Sequence, residues 1–400
     1  MIRFPSIFLV VVLAAQFTLV LLPGGPLPDG RGSELALPKL AVTTFAAKKK
    51  KKDEEPVTQT HEILPDPPPT IKAETGRMVF HNSPLTSKGL LSQQVRDGVK
   101  AIWRVNGGAT IVKLRALVSG TGDLRRVQAI VSEMFTEKKL PLPVVSTIQV
   151  GGLPMEGAQV ILEATSLTKK PVNPQGLAFI SGKGVTAPIT ADAPHMKVAP
   201  LAVKSLADLK MSLDGIGVTT ADVLRVTCFL SSLEDHRDVQ QLAAREYPQL
   251  AVVLAQTQRS PESHVVECEA IARLHAAVGA AWKVVNPPGF KPSPAFSQVA
   301  LAGPGRVLLT ESQLAFRSSD ADVRLAFDRM KAQLEKDGTS MKNVFWSSIY
   351  PLTRTVTERV RATRFDYYDK ANPPASTVLL FEGLPSLYAS FALELIVGLP

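Results

Sequence analysis

One pattern recurs three times along this chain, and it restricts the fold to a set of repeated units. Residues 113–128 read KLRALVSGTGDLRRVQ, residues 225–240 read RVTCFLSSLEDHRDVQ, and residues 346–361 read WSSIYPLTRTVTERVR. Each opens as a short strand, crosses a polar turn and enters a helical stretch holding Val127, Val239 or Val360. The offsets of 112 and 121 residues are those of domains, not of solenoid turns.

The flanks recur as well. Val323, Phe327, Met330 and Leu334 fall at i, i+4, i+7 and i+11, one face of a helix. Val203, Leu206, Leu209 and Leu213 make a second such face, and Val95, Val99, Ile102 and Val105 a less regular third. These helices are expected to end at Gly107-Gly108, Gly215 and Gly338, since glycine suits a left-handed cap. Strands at 77–81, 177–181 and 306–310 precede them. After each repeated segment comes a second helix and then two strands, expected to pair: 144–150 with 159–164, 251–257 with 265–272, and 376–381 with 389–397. A proline-containing turn joins each pair, and Glu163, Glu269 and Glu394 mark the last strands.

The expected class is therefore α+β, with three β-β-α-β-α-β-β units over residues 76–168, 169–278 and 279–400. Two helices can cover one sheet face only. The other face, near Ala116, Thr227 and Ser348, has to be buried elsewhere. Three sheets facing one another around a pseudo-threefold axis would do this within one chain, as a monomeric pseudotrimer.

The first 75 residues read differently. Arg3 precedes an uncharged run at 7–22, which Pro23-Gly24-Gly25-Pro26 ends. A positive start before an apolar run is the export pattern. Residues 1–47 are thus expected to be a signal peptide or an N-terminal membrane anchor, with the folded part outside the cytoplasm. Residues 48–75 open on a run of five lysines and three acids and go on to Pro67-Pro68-Pro69, a composition for a semi-extended tether, with order starting near Gly76.

Composition narrows the chemistry. Of the net charge of +9, residues 1–55 account for +3, and the rest shows no basic block interleaved with aromatics. Nucleic acid is therefore not an expected partner. Two Cys and six His leave no material for a Cys-rich zinc site, and no phosphate-loop, nucleophile-elbow or EF-hand motif is present, so no metal or cofactor is expected. His195, His236, His264 and His275 lack metal-ligand spacing. Cys228 and Cys268 fall on strands of one predicted sheet, where bond geometry between neighbouring strands is strained, so two free core thiols are expected ahead of the disulfide that an oxidising compartment would allow.

The stretch DVLRVTCFLSSLEDHRDVQQLAAREY at 222–247, with Val266-Glu267-Cys268-Glu269-Ala270-Ile271-Ala272, resembles the RidA (YjgF) family of enamine and imine deaminases. Phe296-Ser297-Gln298 and residues 306–313 are similar to its opening strands. The resemblance covers about residues 76–400 and is strongest in the second copy. It implies homotrimer-like α+β packing with ligand sites at unit boundaries.

The same resemblance implies an Arg that grips the substrate carboxylate, a Glu in the closing strand, and an early Ser-Gly. The Arg position falls on Val145, Val252 and Ala375, and the Glu position on Ile161, Glu267 and Ala392. The Ser-Gly position falls on Asn82-Ser83, Ser181-Gly182 and Glu311-Ser312. The cation is missing three times, and losing a charge-assisted carboxylate contact costs orders of magnitude in rate. Arg245 and Lys370 read as solvated surface charges rather than replacements. Glu267 and Glu269, two apart on one strand face, read either as a paired acid site or as one buried, bonded acid beside a relic. The expected function is a diverged, non-catalytic RidA-like protein binding a small molecule or a protein at clefts between units. The alternative is a deaminase with one surviving site at Ser181, Gly182 and Glu267.

Overall fold

A computed structural model describes residues 63–120, 122–191 and 197–400. The expected signal or anchor, the lysine run and His195 lie outside these residues. The first described strand is β1 (Thr70–Glu74). Next come β2 (Met78–Asn82), α1 (Leu91–Val105), β3 (Thr110–Ser119), α2 (Arg125–Glu137), β4 (Val144–Val150) and β5 (Val160–Leu167). A second series has β6 (Leu177–Pro188), α3 (Ala199–Asp214), β7 (Val223–Leu230), α4 (His236–Glu246), β8 (Val253–Gln256) and β9 (Ser263–Arg273). Strands β10 (Trp282–Val285) and β11 (Val299–Ala302) then lead to a third series. It comprises β12 (Arg306–Thr310), β13 (Gln313–Phe316), α5 (Asp320–Lys336), β14 (Val344–Pro351), α6 (Arg354–Thr363), β15 (Ala375–Val378) and β16 (Ala389–Gly398).

These strands form three mixed sheets, ordered β2-β5-β3-β4, β10-β11-β6-β9-β7-β8 and β1-β12-β16-β14-β15, with β13 also on β16. In each, a long central strand (β3, β7, β14) pairs parallel with the strand after the second helix and antiparallel with the last strand. The expected pairing of β4 with β5, β8 with β9 and β15 with β16 is therefore corrected. A helix crossover returns the chain parallel to the central strand on one side, and the last strand comes back on the other.

Three other expectations change. Residues 70–74 are a strand hydrogen-bonded to β12 of the third sheet, so the tether does not extend to residue 75. Strands β10 and β11 lie within the segment assigned to the third unit, yet β11 pairs with β6 of the second sheet. Cys228 and Cys268 stand opposite each other in β7 and β9, with Cα atoms 4.0 Å apart, and form a disulfide rather than free thiols. The Cys268 N–H donates to Ser205 Oγ at 3.0 Å, so the two cysteines form a pair without mutual backbone bonds, the closer of the two antiparallel spacings.

The helices cover one face of each sheet. Val95, Val99 and Ile102 pack on the first, Leu206, Leu209 and Leu213 on the second, and Val323, Phe327, Met330 and Leu334 on the third. Val203 and Val105, counted in those faces from sequence, are exposed. Ala116 also packs on the helix side. Helix α5 starts with Ser319 and Asp322 bonded reciprocally, which satisfies two otherwise unpaired N–H groups. Helix α3 ends at Gly215 in right-handed geometry, and the left-handed residue is Gly217 at φ +71°.

The other sheet faces meet. Phe179, Phe345, Trp346, Leu309 and Val112 share one buried cluster, and Leu117, Ile148, Phe229, Tyr350 and Phe381 share another. Each cluster draws on all three sheets. Between them runs a charged layer. Register places Arg115 opposite Glu163, Thr227 opposite Glu269 and Ser348 opposite Glu394. Arg115 donates to Glu163 and, at 2.7 Å, to Glu269 of the second sheet. Lys113 reaches Glu394 of the third sheet at 3.2 Å and the Thr310 carbonyl at 2.5 Å. Thr227 donates to Glu163, and Thr377 to Glu269 at 2.5 Å. Burial opposes the Glu163 charge, but Arg115 and Arg225 hold its pKa at about 2.

Arg115→Met should cost about 3–5 kcal/mol in denaturant unfolding, because it leaves two buried acids without their cation. Adding Glu163→Gln and Glu269→Gln to that variant should recover most of the loss. A single-variant loss within experimental error would show that the layer carries no such weight.

Candidate functional site

Strand register first fixes which residues correspond. Trp346 opposes Ala375 in the third sheet, and Lys113 opposes Val144 in the first. Thr227 opposes Val253, so Ala251 takes the matching place in the second sheet. The position that the resemblance put on Val145 and Val252 is therefore Val144 and Ala251, one residue earlier. Val145 packs under the helices and does not face a cleft. None of these residues is a cation. The acid position keeps its register: Ile161, Glu267 and Ala392 oppose Leu117, Phe229 and Tyr350.

Between the first and second sheets the matched residues converge on one cavity of 540 Å³. Asn82, Ser83 and Ile161 come from one side, and Ala251, Val252 and Val253 from the other. Ser83 Oγ accepts the Leu162 N–H at 2.9 Å, and Asn82 Nδ2 donates to the Ala251 carbonyl at 3.0 Å. Asn82 Oδ1 is buried there without a hydrogen-bond partner, and Leu85, Ile161 and Val252 present apolar surface. Arg104 and Val105 of α1 form an exposed rim.

Between the second and third sheets, Ser181, Gly182 and Glu267 do come together. Ser181 Oγ donates to the Ser297 carbonyl at 2.6 Å and accepts the Ser376 N–H at 2.9 Å. Ser297 also bridges to Ala375. The Glu267 carboxyl lies against Gly182, where a Cβ would run into it, which explains glycine at that place. The Val378 N–H of β15 donates to Glu267. Strand β15 therefore lies against both residues and engages Ser181 through the Ser376 N–H.

Electrostatics separate the two neighbouring acids. Burial, aided by Glu269, pushes the Glu267 pKa up to about 8, while Arg361, Lys183 and the Val378 N–H pull the other way. Glu269 is ion-paired with Arg115. The pair is thus one neutral acid at pH 7 beside one bonded carboxylate, not a shared acid site. Lys183, between them in influence, donates to Gln298 Oε1 at 2.5 Å and lies 4.4 Å from the centre of the Phe290 ring. Desolvation lowers its pKa to about 7, against the pull of Asp208 and Glu267.

Between the third and first sheets the corresponding Glu311 sits near Lys113 and Asp66, and burial pushes its pKa up to about 7. Its N–H donates to the Pro69 carbonyl at 2.9 Å. Arg245 and Lys370 are exposed on the surface, as expected of solvated charges. Sequence reasoning missed Lys113, Arg115 and Arg225. The available signal was two cations at alternate positions of the otherwise apolar strand IVKLRALV.

No protein-family model and no curated protein matches the chain. Solved structures similar to parts of it include members of the Rid, or YjgF, family. A conserved Rid family protein of unknown function, YyfB from Yersinia pestis, is 20% identical, with TM-score 0.28, over 30% of this chain and 100% of that one. A YjgF family member from Neisseria meningitidis is 11% identical, with TM-score 0.23, over 28% of this chain and 92% of that one. TdcF from E. coli with bound serine is 22% identical, with TM-score 0.21, over 24% of this chain and 86% of that one.

Because the folded-state pKa of Glu267 is raised, the stability it confers is fully present below the ordinary carboxylate value of 4.5 and is lost as pH rises through about 8. Relative to Glu267→Gln, the wild-type unfolding free energy should fall by on the order of 1 kcal/mol per pH unit across that window. Parallel profiles for the two proteins would show that the acid is not held neutral.

Proposed function

We propose that this chain is a diverged RidA-like protein, a pseudotrimer made by three units of one polypeptide, that binds a small molecule instead of hydrolysing imines. One observation carries the reading. The residues at the family's serine and acid positions in the first unit, Asn82 and Ile161, share a 540 Å³ cavity with Ala251 and Val252 of the second. Hydrolysis at that place needs an acid to place water and a cation for the substrate carboxylate. The cavity offers aliphatic side chains at both, a lining suited to the apolar body of a ligand. The export segment at 1–47 extends the proposal to a tethered protein acting outside the cytoplasm.

A ligand at a hundred times its dissociation constant stabilises the folded chain by about 2.7 kcal/mol. A thermal-shift screen of small apolar-bodied compounds against the full chain should therefore return hits. Val252→Trp, which fills the cavity from its wall, should abolish them without lowering the ligand-free Tm by more than a few degrees. Hits that persist undiminished in Val252→Trp would overturn this site.

The neutral Glu267 carboxyl supports a second reading, imine hydrolysis at Ser181, Gly182 and Glu267, because a protonated acid at pH 7 can donate to a leaving nitrogen. Against it stand Ala375 at the cation position and the engagement of Ser181 by β15. A coupled imine-hydrolysis assay decides between the readings. Turnover well above background that Glu267→Ala removes would establish the hydrolase, and background rates in both proteins are expected.

A further inference from the structure

The first strands of the three sheets correspond residue by residue. Phe80, Phe179 and Leu309 oppose Thr165, Ile271 and Ile396, each two places beyond the acid of its last strand. Two residues further along stand Asn82, Ser181 and Glu311. In the second sheet β11 covers the outer edge: Ala300 opposes Phe179, and the Ser181 N–H donates to the Gln298 carbonyl at 3.0 Å. In the third sheet β1 does the same: Ile71 opposes Leu309, and the Glu311 N–H donates to the Pro69 carbonyl at 2.9 Å. In the first sheet β2 pairs with β5 alone. The Thr168 N–H donates to the Arg77 carbonyl and the Ser83 N–H to the Leu162 carbonyl, so alternation points the backbone groups of Phe80 and Asn82 outward. Among the described residues nothing accepts from those two N–H groups. Phe80 is half-buried, whereas Phe179 and Leu309 are buried.

The connections explain the difference. Each covering strand lies just before a unit and covers the unit preceding it in the ring: β11 before β12, and β1 before β2. The matching place before β6 is residues 168–176, TKKPVNPQG. Pro171 and Pro174 have no N–H for a ladder. This segment caps only the start of β2, where Asn173 Nδ2 donates to the Met78 carbonyl at 2.8 Å.

We propose that the free edge of β2 takes up an extended segment of a partner polypeptide as an antiparallel strand bonded to Phe80 and Asn82. The native occupants of the two equivalent edges define its chemistry. Ile71 and Ala73 of β1, and Ala300 and Ala302 of β11, pack into the buried cluster of Phe179, Leu309 and Trp346, against which Phe80 also packs. The segment therefore carries small or aliphatic residues at alternate positions. Arg225 of β7, half-exposed, lies over the Phe80 ring at 5.4 Å, so an acidic residue in the segment has a cation to meet. The edge also lacks the usual guards. The outer strands β1 and β10 of the other sheets carry Lys72, Glu74 and Lys283, whereas β2 reads MVFHN, with no Lys, Asp, Glu or Pro. The described start of the chain lies elsewhere: Ser132 of α2 donates to the Pro65 carbonyl, and α2 packs on β4, the opposite edge of that sheet. Strand addition does not rest on the reading of the neighbouring cavity as a ligand site.

The test is amide hydrogen exchange on the full chain, alone and with a synthetic peptide that copies residues 68–75, PPTIKAET. In the chain alone, the Phe80 and Asn82 amides should exchange roughly tenfold or more faster than those of Phe179 and Ser181. Equal protection would mean that the edge is already filled, by residues before 63 or by a second copy, and overturns the proposal. The peptide should slow exchange at Phe80 and Asn82 by roughly tenfold and leave Glu311, on an edge already covered, unchanged. Two modified peptides check the geometry. Alternation points the Ile71 amide at the strand it joins and the Lys72 amide away from it. N-methylation at Ile71 should therefore abolish the protection, and N-methylation at Lys72 should preserve it. No protection at about 1 mM peptide, or protection indifferent to N-methylation at Ile71, overturns strand addition.

Discussion

Arg115 ties the molecule together. Its guanidinium lies where the three sheets meet, donating to Glu163 beside it and to Glu269 across the boundary. Burying such charges costs several kcal/mol per ion unless partners and further hydrogen bonds compensate. Here they do: Thr227 and Thr377 bond the same two acids. Lys113 and Glu394 perform a similar task between the first and third sheets. The layer leaves little freedom in how the sheets dock, since a shift of one residue would strand a charge.

The arrangement also depends on one chain carrying all the units. The places corresponding to Arg115 hold Thr227 and Ser348, while the acid is present in all three as Glu163, Glu269 and Glu394. A symmetric assembly of identical subunits would put the same residue at each place. Three arginines would crowd the centre, and three threonines would leave three acids without a cation. Three sheets of one chain can differ, which permits one arginine between two acids, with a lysine for the third. The same freedom makes the clefts unequal. The one between the first and second sheets is open, and the one between the second and third is occupied by Ser181 bonded to β15.

Much of the fold was legible because it is local. The heptad-like spacing of Val323, Phe327, Met330 and Leu334 is fixed by helix geometry, and all four residues are buried. The strand–turn–helix segments fell where their alternation put them. The candidate acids were legible as positions: Glu267 does lie against Gly182. Their chemistry was not. Whether a carboxyl is neutral or ion-paired depends on groups from other sheets, such as Arg115 for Glu269 and Val378 for Glu267.

The sequence by itself determined the strand–turn–helix segments, the helix faces and the acids in the last strands. Only the tertiary structure decided which strands are neighbours. It moved β1 to the third sheet and β11 to the second, set β3, β7 and β14 between strands that looked like hairpins, and joined Cys228 to Cys268. The physical reason is that strand pairing and ion pairing are long-range. Their partners lie up to hundreds of residues apart, as with Thr70 and Thr310, and nothing in the local alternation of a strand says which edge it will join.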